Sequence, residues 1–153
     1  MVDSDHAGEK ANRRPQTGFL IYVNMALITW LSKKKTTIDS SIFGDDFLPM
    51  KTGTETLRGL RYKLRIMDVK LTGISYIYGD NMSVINSTKR PESNLNKKNN
   101  PILYHAMRES VAMGESINYQ IPTIFNLADM LTKTLFGQKQ RSMMEGVMNA
   151  VFD

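Results

Sequence analysis

Apolar positions change their period several times along the chain, and each change marks a new element. Phe19, Ile21 and Val23 alternate with Leu20 and Tyr22, Asn24-Met25-Ala26 interrupts the run, and Leu27 to Leu31 resumes it. Apolar stretches on either side of a turn predict a hairpin over residues 18–32. Both arms are apolar on both faces, so a sheet covered on each side is expected. Thr36 to Ile38 is a candidate short strand. The period then lengthens: Leu57, Leu60, Leu64 and Met67 recur at three and four, which predicts a helix from about Asp46 to Met67. Ile74 to Tyr78 alternates as a strand, and Val84 and Ile85 belong to a short helix after Asp80-Asn81.

Residues 88–100 are polar, basic and proline-containing, the composition of a loop. Asn100 before Pro101 is an N-cap followed by the proline that suits a first helical position. Leu103, Ala106, Met107, Ser110 and Val111 then share one face up to Gly114. Ile117 to Ile121 predicts a strand. Asn126 predicts the cap of a last helix, with Leu127, Met130, Leu131, Thr134 and Leu135 on one side and Gly137 as its stop. The order strand-strand-strand-helix-strand-helix-helix-strand-helix is an α/β pattern with an antiparallel start.

Composition narrows the class. A chain of 153 residues with 41% hydrophobic and 23% charged positions suits one folded domain with one core. The longest apolar stretch, Gly18 to Leu31, is broken by Asn24 and Thr29 and is shorter than the run of about 20 residues that a membrane helix requires. The start, Met-Val-Asp-Ser-Asp, lacks the basic and apolar parts of a secretory signal, so an intracellular protein is expected. The absence of cysteine excludes disulfides and thiolate metal sites, and leaves hard cations on carboxylates as the available metal chemistry. The net charge is +5, with basic groups at Arg13-Arg14, Lys33-Lys34-Lys35, Lys89-Arg90 and Lys97-Lys98. Such clusters suit a polyanion or a solvated surface.

The residues able to carry chemistry are aspartates near element ends: Asp3, Asp5, Asp45, Asp46, Asp80 and Asp129. Several carboxylates converging on a pair of magnesium ions would support phosphoryl chemistry. Each also has a structural reading: Asp45 or Asp46 as a helix cap, Asp80-Asn81 as a turn, Asp129 at a helix amino end. His105 reads as a surface residue, and the eleven methionines as core filling.

Seven segments in order resemble the ribonuclease H domain of copia-type (Ty1/copia) retrotransposon polyproteins. Asp3-Ser4-Asp5-His6-Ala7-Gly8 is similar to that family's opening, and Arg13-Arg14 with Gln16-Thr17-Gly18 to its entry into the hairpin. Ile28 to Lys34, Ser40-Ser41 before the long helix, and Gly79-Asp80-Asn81-Met82-Ser83-Val84 follow. Tyr104-His105-Ala106-Met107-Arg108-Glu109 and Asn126 to Lys133 complete the series. The resemblance covers about residues 3–135.

It implies an α/β, ribonuclease H-like mixed five-stranded sheet, three antiparallel strands followed by parallel ones, with flanking helices. The domain would occupy residues 1–136, its first strand shortened, and residues 137–153 would form a helical tail. The implied catalytic and metal-ligating set is Asp3, Asp46, Asp80 and Asp129, holding two magnesium ions (Mg2+, with Mn2+ as an alternative) that hydrolyse the RNA strand of an RNA:DNA hybrid. Arg13, Arg14, Lys33, Lys34, Lys35, Lys97 and Lys98 would contact nucleic acid, no membrane is involved, and the reverse transcriptase domain of the parent polyprotein would be the protein partner. Asp46 stands where the family has glutamate, and Pro49 where it has alanine. Proline is tolerated in a first helical turn, so the helix is expected to begin at Asp46, with that residue as its cap. The alternative function is a catalytically inactive nucleic-acid-binding remnant, since the chain also reads as a fragment or degenerate copy.

Overall fold

The computed structural model describes residues 1–5, 16–34, 42–89 and 101–148, with the side chains of 5, 42–46 and 101–103 outside that description. Strand β1 is Val2–Asp5, β2 is Gln16–Val23 and β3 is Ala26–Lys34. Helix α1 (Ile42–Ile66) leads to β4 (Ser75–Gly79), α2 (Met82–Lys89), α3 (Pro101–Ala112) and β5 (Ser116–Gln120). A 3-10 turn (Thr123–Phe125), the short α4 (Asp129–Thr132) and α5 (Gly137–Met148) follow.

The mixed α/β class holds, but the described strands form two sheets in place of the expected single one. One is antiparallel in the order β1-β2-β3, and the other is the parallel pair β4-β5. The hairpin turns on Asn24 and Met25 alone, both at positive φ (48° and 68°), with Val23 opposite Ala26. Two left-handed residues match the twist of the flanking strands, and asparagine tolerates that conformation better than methionine does. The expectation of two covered arms is half right. Phe19, Leu20 and Ile21 of β2 are buried, whereas Ile28 and Trp30 of β3 are 49% and 61% exposed, because β3 is an edge strand with one face in solvent.

Helix α1 departs most from its forecast. It begins at Ile42 and not at Asp46, so Pro49 lies inside it and Asp46 is not its cap. The forecast placed the apolar face too late: Phe47 and Met50 are each 2% exposed, while Met67 at the far end is 63% exposed. Phe47 and Met50 join Val2, Phe19, Ile77, Val84, Ile85, Tyr104 and Met107 in the core, with Leu57 and Leu60 at its margin. Tertiary burial here outweighs the proline penalty of about 3 kcal/mol.

The helix predicted from Asn126 to Leu135 is shorter than expected, Asp129–Thr132, and α5 lies in the stretch read as a helical tail. After α4 the chain leaves helical geometry at Lys133 (φ −114°, ψ 144°), and Gly137 begins α5 and does not end a helix. Met143 and Val147 of α5 are buried, and the Tyr22 hydroxyl donates to the Val147 carbonyl at 3.3 Å. Residues 88 and 89, read as loop, complete α2. The candidate strand Thr36 to Ile38 lies outside the described residues.

Candidate carboxylate centre

Three of the four aspartates implied by the resemblance meet. Asp3 comes from β1, Asp80 from the residue after β4, and Asp129 from the first turn of α4. Each offers a carboxylate oxygen within 4.8 Å of the others. Asp3 and Asp129 are buried and Asp80 is half-buried. Position 46 lies on α1 one turn before Met50, which with Pro49 lines a small cleft beside Asp3, Asp80 and Asn81. The Asp46 and Asp5 side chains lie outside the described set.

Local sequence explains how each carboxylate is held. Asn81 caps α2, its Oδ1 accepting from the Ser83 and Val84 amides at 2.9 and 3.2 Å, which fixes the turn that carries Asp80. Thr123 donates its hydroxyl to Asp80 Oδ2 at 3.2 Å. Asn126 is fully buried and clamps two distant segments. Its Nδ2 donates to the Val2 carbonyl at 3.0 Å, and its Oδ1 accepts from the Ala128 amide at 3.3 Å. It therefore holds β1 to the α4 turn and serves less as the helix cap that the sequence predicts.

Helix α4 is fastened on its other side by the Gln16 side-chain amide and the Ser32 hydroxyl, both donating to the Leu131 carbonyl, at 2.8 and 2.7 Å. Gly18 makes that approach possible. A Cβ there would come within 2.9 Å of both Leu131 Cβ and Thr132 Cγ2.

Two residues that sequence reasoning passed over complete the cluster. Thr132 donates its hydroxyl to Asp3 Oδ2, and Lys133 Nζ lies 2.9 Å from Asp129 Oδ1 and 3.5 Å from Asp3 Oδ2. The signal was present: Asp129 to Lys133 is an i,i+4 pair of opposite charge. Burial raises the Asp3 carboxyl to about 7, only partly countered by the Thr132 hydrogen bond and Lys133, while Asp129 and Asp80 push it further up. Burial works against the Lys133 ammonium, but its hydrogen bond to Asp129 and the charges of Asp3, Asp129 and Asp80 raise its pKa.

Three carboxylates facing one ammonium form an oxygen-only donor set with excess negative charge, which fits a hard divalent cation such as magnesium. Of the basic residues expected to contact nucleic acid, Lys33 and Lys34 are exposed at the end of β3, two positions or fewer beyond Ser32 and its bond to α4. Arg13, Arg14, Lys35, Lys97 and Lys98 lie outside the described residues. His105 is exposed, with its ring edge-on to Tyr104. No described helix is long and apolar enough to cross a membrane.

The fold and the cluster thus define an α/β domain with a carboxylate centre built from three separate elements. Comparison with known proteins adds a lineage. The chain is homologous to retrovirus-related Pol polyproteins of plant transposons. It is 27% identical over 133 residues to that of transposon RE1 from Arabidopsis thaliana, covering 87% of this chain and 9% of the relative. It is 30% identical over 136 residues to that of transposon TNT 1-94 from Nicotiana tabacum, covering 88% of this chain and 10% of the relative. Transposon RE2 of Arabidopsis thaliana supplies a third, 26% identical over 133 residues. The chain spans about a tenth of the length of these curated relatives. No protein-family model matches it.

Proposed function

We propose that this chain is a ribonuclease H-like domain of a retroelement polyprotein that hydrolyses the RNA strand of RNA:DNA hybrids. The observation that carries the reading is the convergence of Asp3, Asp80 and Asp129, brought within 4.8 Å from positions spread over most of the chain. Homology to Pol polyproteins supports a retroelement origin. Asp46, at a position on α1, would be the fourth ligand. When bound, a pair of divalent cations supplies an activated water and a charge to stabilise the leaving oxygen.

The chain's own residues prepare that chemistry. Thr132 and Asn126 fix Asp3 and the turn before Asp129, Thr123 orients Asp80, and the basic end of β3 would bind phosphates beside α4. This reading also implies that the two sheets act as one, in the order β3-β2-β1-β4-β5. The position of Gly79, where a Cβ would sit 3.4 Å from Val2, supports β1 and β4 as neighbours.

A second reading is favoured by Lys133. Its ammonium already neutralises Asp129 and reaches Asp3, so the same fold could bind hybrid without cutting it. Cleavage of a labelled hybrid with magnesium or manganese separates the two. Activity that Asp80→Asn abolishes supports the first. Salt-dependent binding with no cleavage, in the wild type and in Lys133→Gln, overturns it.

A further inference from the structure

Strands β4 and β5 carry a second surface, on the side away from the core. On β4, Ile77 and Gly79 face the core, so Tyr76 and Tyr78 turn to the other side. On β5, Asn118 is buried, and Tyr119 lies on the opposite face, directly across from Tyr78. The rings meet. Tyr76 is 5.9 Å from Tyr119 and 6.5 Å from Tyr78, and Tyr78 is 6.1 Å from Tyr119, centroid to centroid. Tyr76 and Tyr119 are nevertheless 58% and 41% exposed. Lys89, the exposed last residue of α2, holds its ammonium 5.2 Å from the centre of the Tyr119 ring.

The chemistry of this surface selects its ligand. Aromatic faces with a cation beside them suit bases on an anionic backbone, because any base can stack on a ring and a phosphate can pair with the ammonium. The surrounding charge agrees. From Ser75 to Lys89 and along β5 the sole acidic residue is Asp80, and Glu109 and Glu115 pair with Arg58 of α1. Position gives the surface a direction. Asp80 follows Tyr78 by two residues and Tyr76 by four, which puts these rings about 7 and 13 Å along the strand from the carboxylate centre.

We propose that Tyr76, Tyr78 and Tyr119, with Lys89, form a stacking platform for an unpaired nucleic-acid strand, the single-stranded continuation of a duplex bound at the carboxylates. Bases lie against the exposed Tyr76 and Tyr119 rings, the half-buried Tyr78 holds both rings in place, and Lys89 meets a phosphate. The place of the duplex rests on the proposed function, whereas the stacking does not.

The test is fluorescence anisotropy of labelled oligonucleotides with the full chain in EDTA, where no cleavage enters. The probes are short DNA and RNA single strands, a blunt RNA:DNA hybrid, and the same hybrid with a DNA or an RNA overhang. The wild type is expected to bind overhang hybrids more tightly than the blunt one, and the overhang that gains more identifies the strand. Tyr76→Leu with Tyr119→Leu should lose about tenfold or more in affinity for single strands and overhangs while leaving the blunt hybrid unchanged, and Tyr76→Phe with Tyr119→Phe should retain it. Lys89→Gln, which removes no ring, should lower the slope of log affinity against log salt for single strands by about 0.7. Equal affinity in the leucine pair, an unchanged slope in Lys89→Gln, or a wild type without affinity for single strands overturns the proposal. Self-association that the leucine pair abolishes, in a protein that binds no single strand, also overturns it and assigns the face to a second copy. Cleavage of hybrid in magnesium alongside equal overhang affinity removes the platform alone. Single-strand binding that the leucine pair loses, without cleavage, upholds the platform and removes only the hydrolytic reading.

Discussion

Asp3 joins site chemistry to fold stability in one side chain. Its carboxyl is raised to about 7, against about 3.8 in the unfolded chain, so between those values the folded state holds the proton more tightly. Its stabilising contribution is complete below about pH 4 and is lost as pH rises through 7. The Met1 ammonium, lowered to about 5 from 8.0, acts in the opposite sense between pH 5 and 8, because there the unfolded chain binds the extra proton. Comparison with Asp3→Asn removes that common term. Urea denaturation in EDTA should show Asp3→Asn gaining on the wild type by a few kcal/mol from pH 4 to pH 7, then holding constant. A difference that does not vary with pH would exclude a raised Asp3. Gly18 is the other sensitive residue. Because a Cβ there meets Leu131 and Thr132 at 2.9 Å, Gly18→Ala should cost about 1–3 kcal/mol in the same assay. Under the proposed function it should also weaken divalent-cation binding measured by calorimetry, since α4 carries Asp129.

Helix α1 shows how an element can override its own sequence signals. Pro49 sits eight residues into it and is fully buried. Its ring forfeits one helical hydrogen bond and strains the preceding turn, about 3 kcal/mol together, whereas truncation to alanine removes about two methylenes of burial, roughly 1.6 kcal/mol. Pro49→Ala should therefore stabilise the protein by about 1 kcal/mol, visible as a higher urea midpoint with an unchanged slope. A loss of stability would mean that the ring's packing matters more than the bond it removes. The same element marks what could be read from sequence. The hairpin, α3 and both parallel strands were legible because local period, turn chemistry and burial agree there. The start of α1 was not, since Phe47 and Met50 are buried by β1 and α3, which are remote in sequence. The early end of α4 was hidden for a similar reason: Leu135 continues the apolar period, but bonds from Gln16 and Ser32 to Leu131 anchor α4 and the helix ends at Thr132. At the site, aspartates could be named from motif order. Lys133, Thr132 and the clamp by Asn126 required the fold, although the spacing of Lys133 from Asp129 was a usable hint.

For the molecule as a whole, the formal net charge is +5, although Asp3, Asp80 and Asp129 gather in one acidic centre. Lys33 and Lys34 are exposed at the end of the strand that Ser32 ties to α4, and under the proposed function they are the described basic residues that would take phosphates of a hybrid bound at the carboxylates. Lys33→Gln with Lys34→Gln should reduce the steepness of log affinity against log salt for an RNA:DNA hybrid by up to about two, near one per lost phosphate contact, in fluorescence titrations. An unchanged slope would place the hybrid elsewhere.

The clamp by Asn126 also has a consequence in time. Asn126 reaches Val2 and Thr132 reaches Asp3 across 124 and 129 residues, whereas the β2–β3 hairpin closes through a turn of two. Hairpins form in microseconds, and contacts this distant along the chain wait for the rest of the topology. A growing polypeptide that has reached β5 can already hold its hairpin and much of its core, yet it has no assembled acidic centre. Assembly of that centre is thus expected late in folding, because a chain that ends before Asn126 lacks Asp129 and both of these contacts.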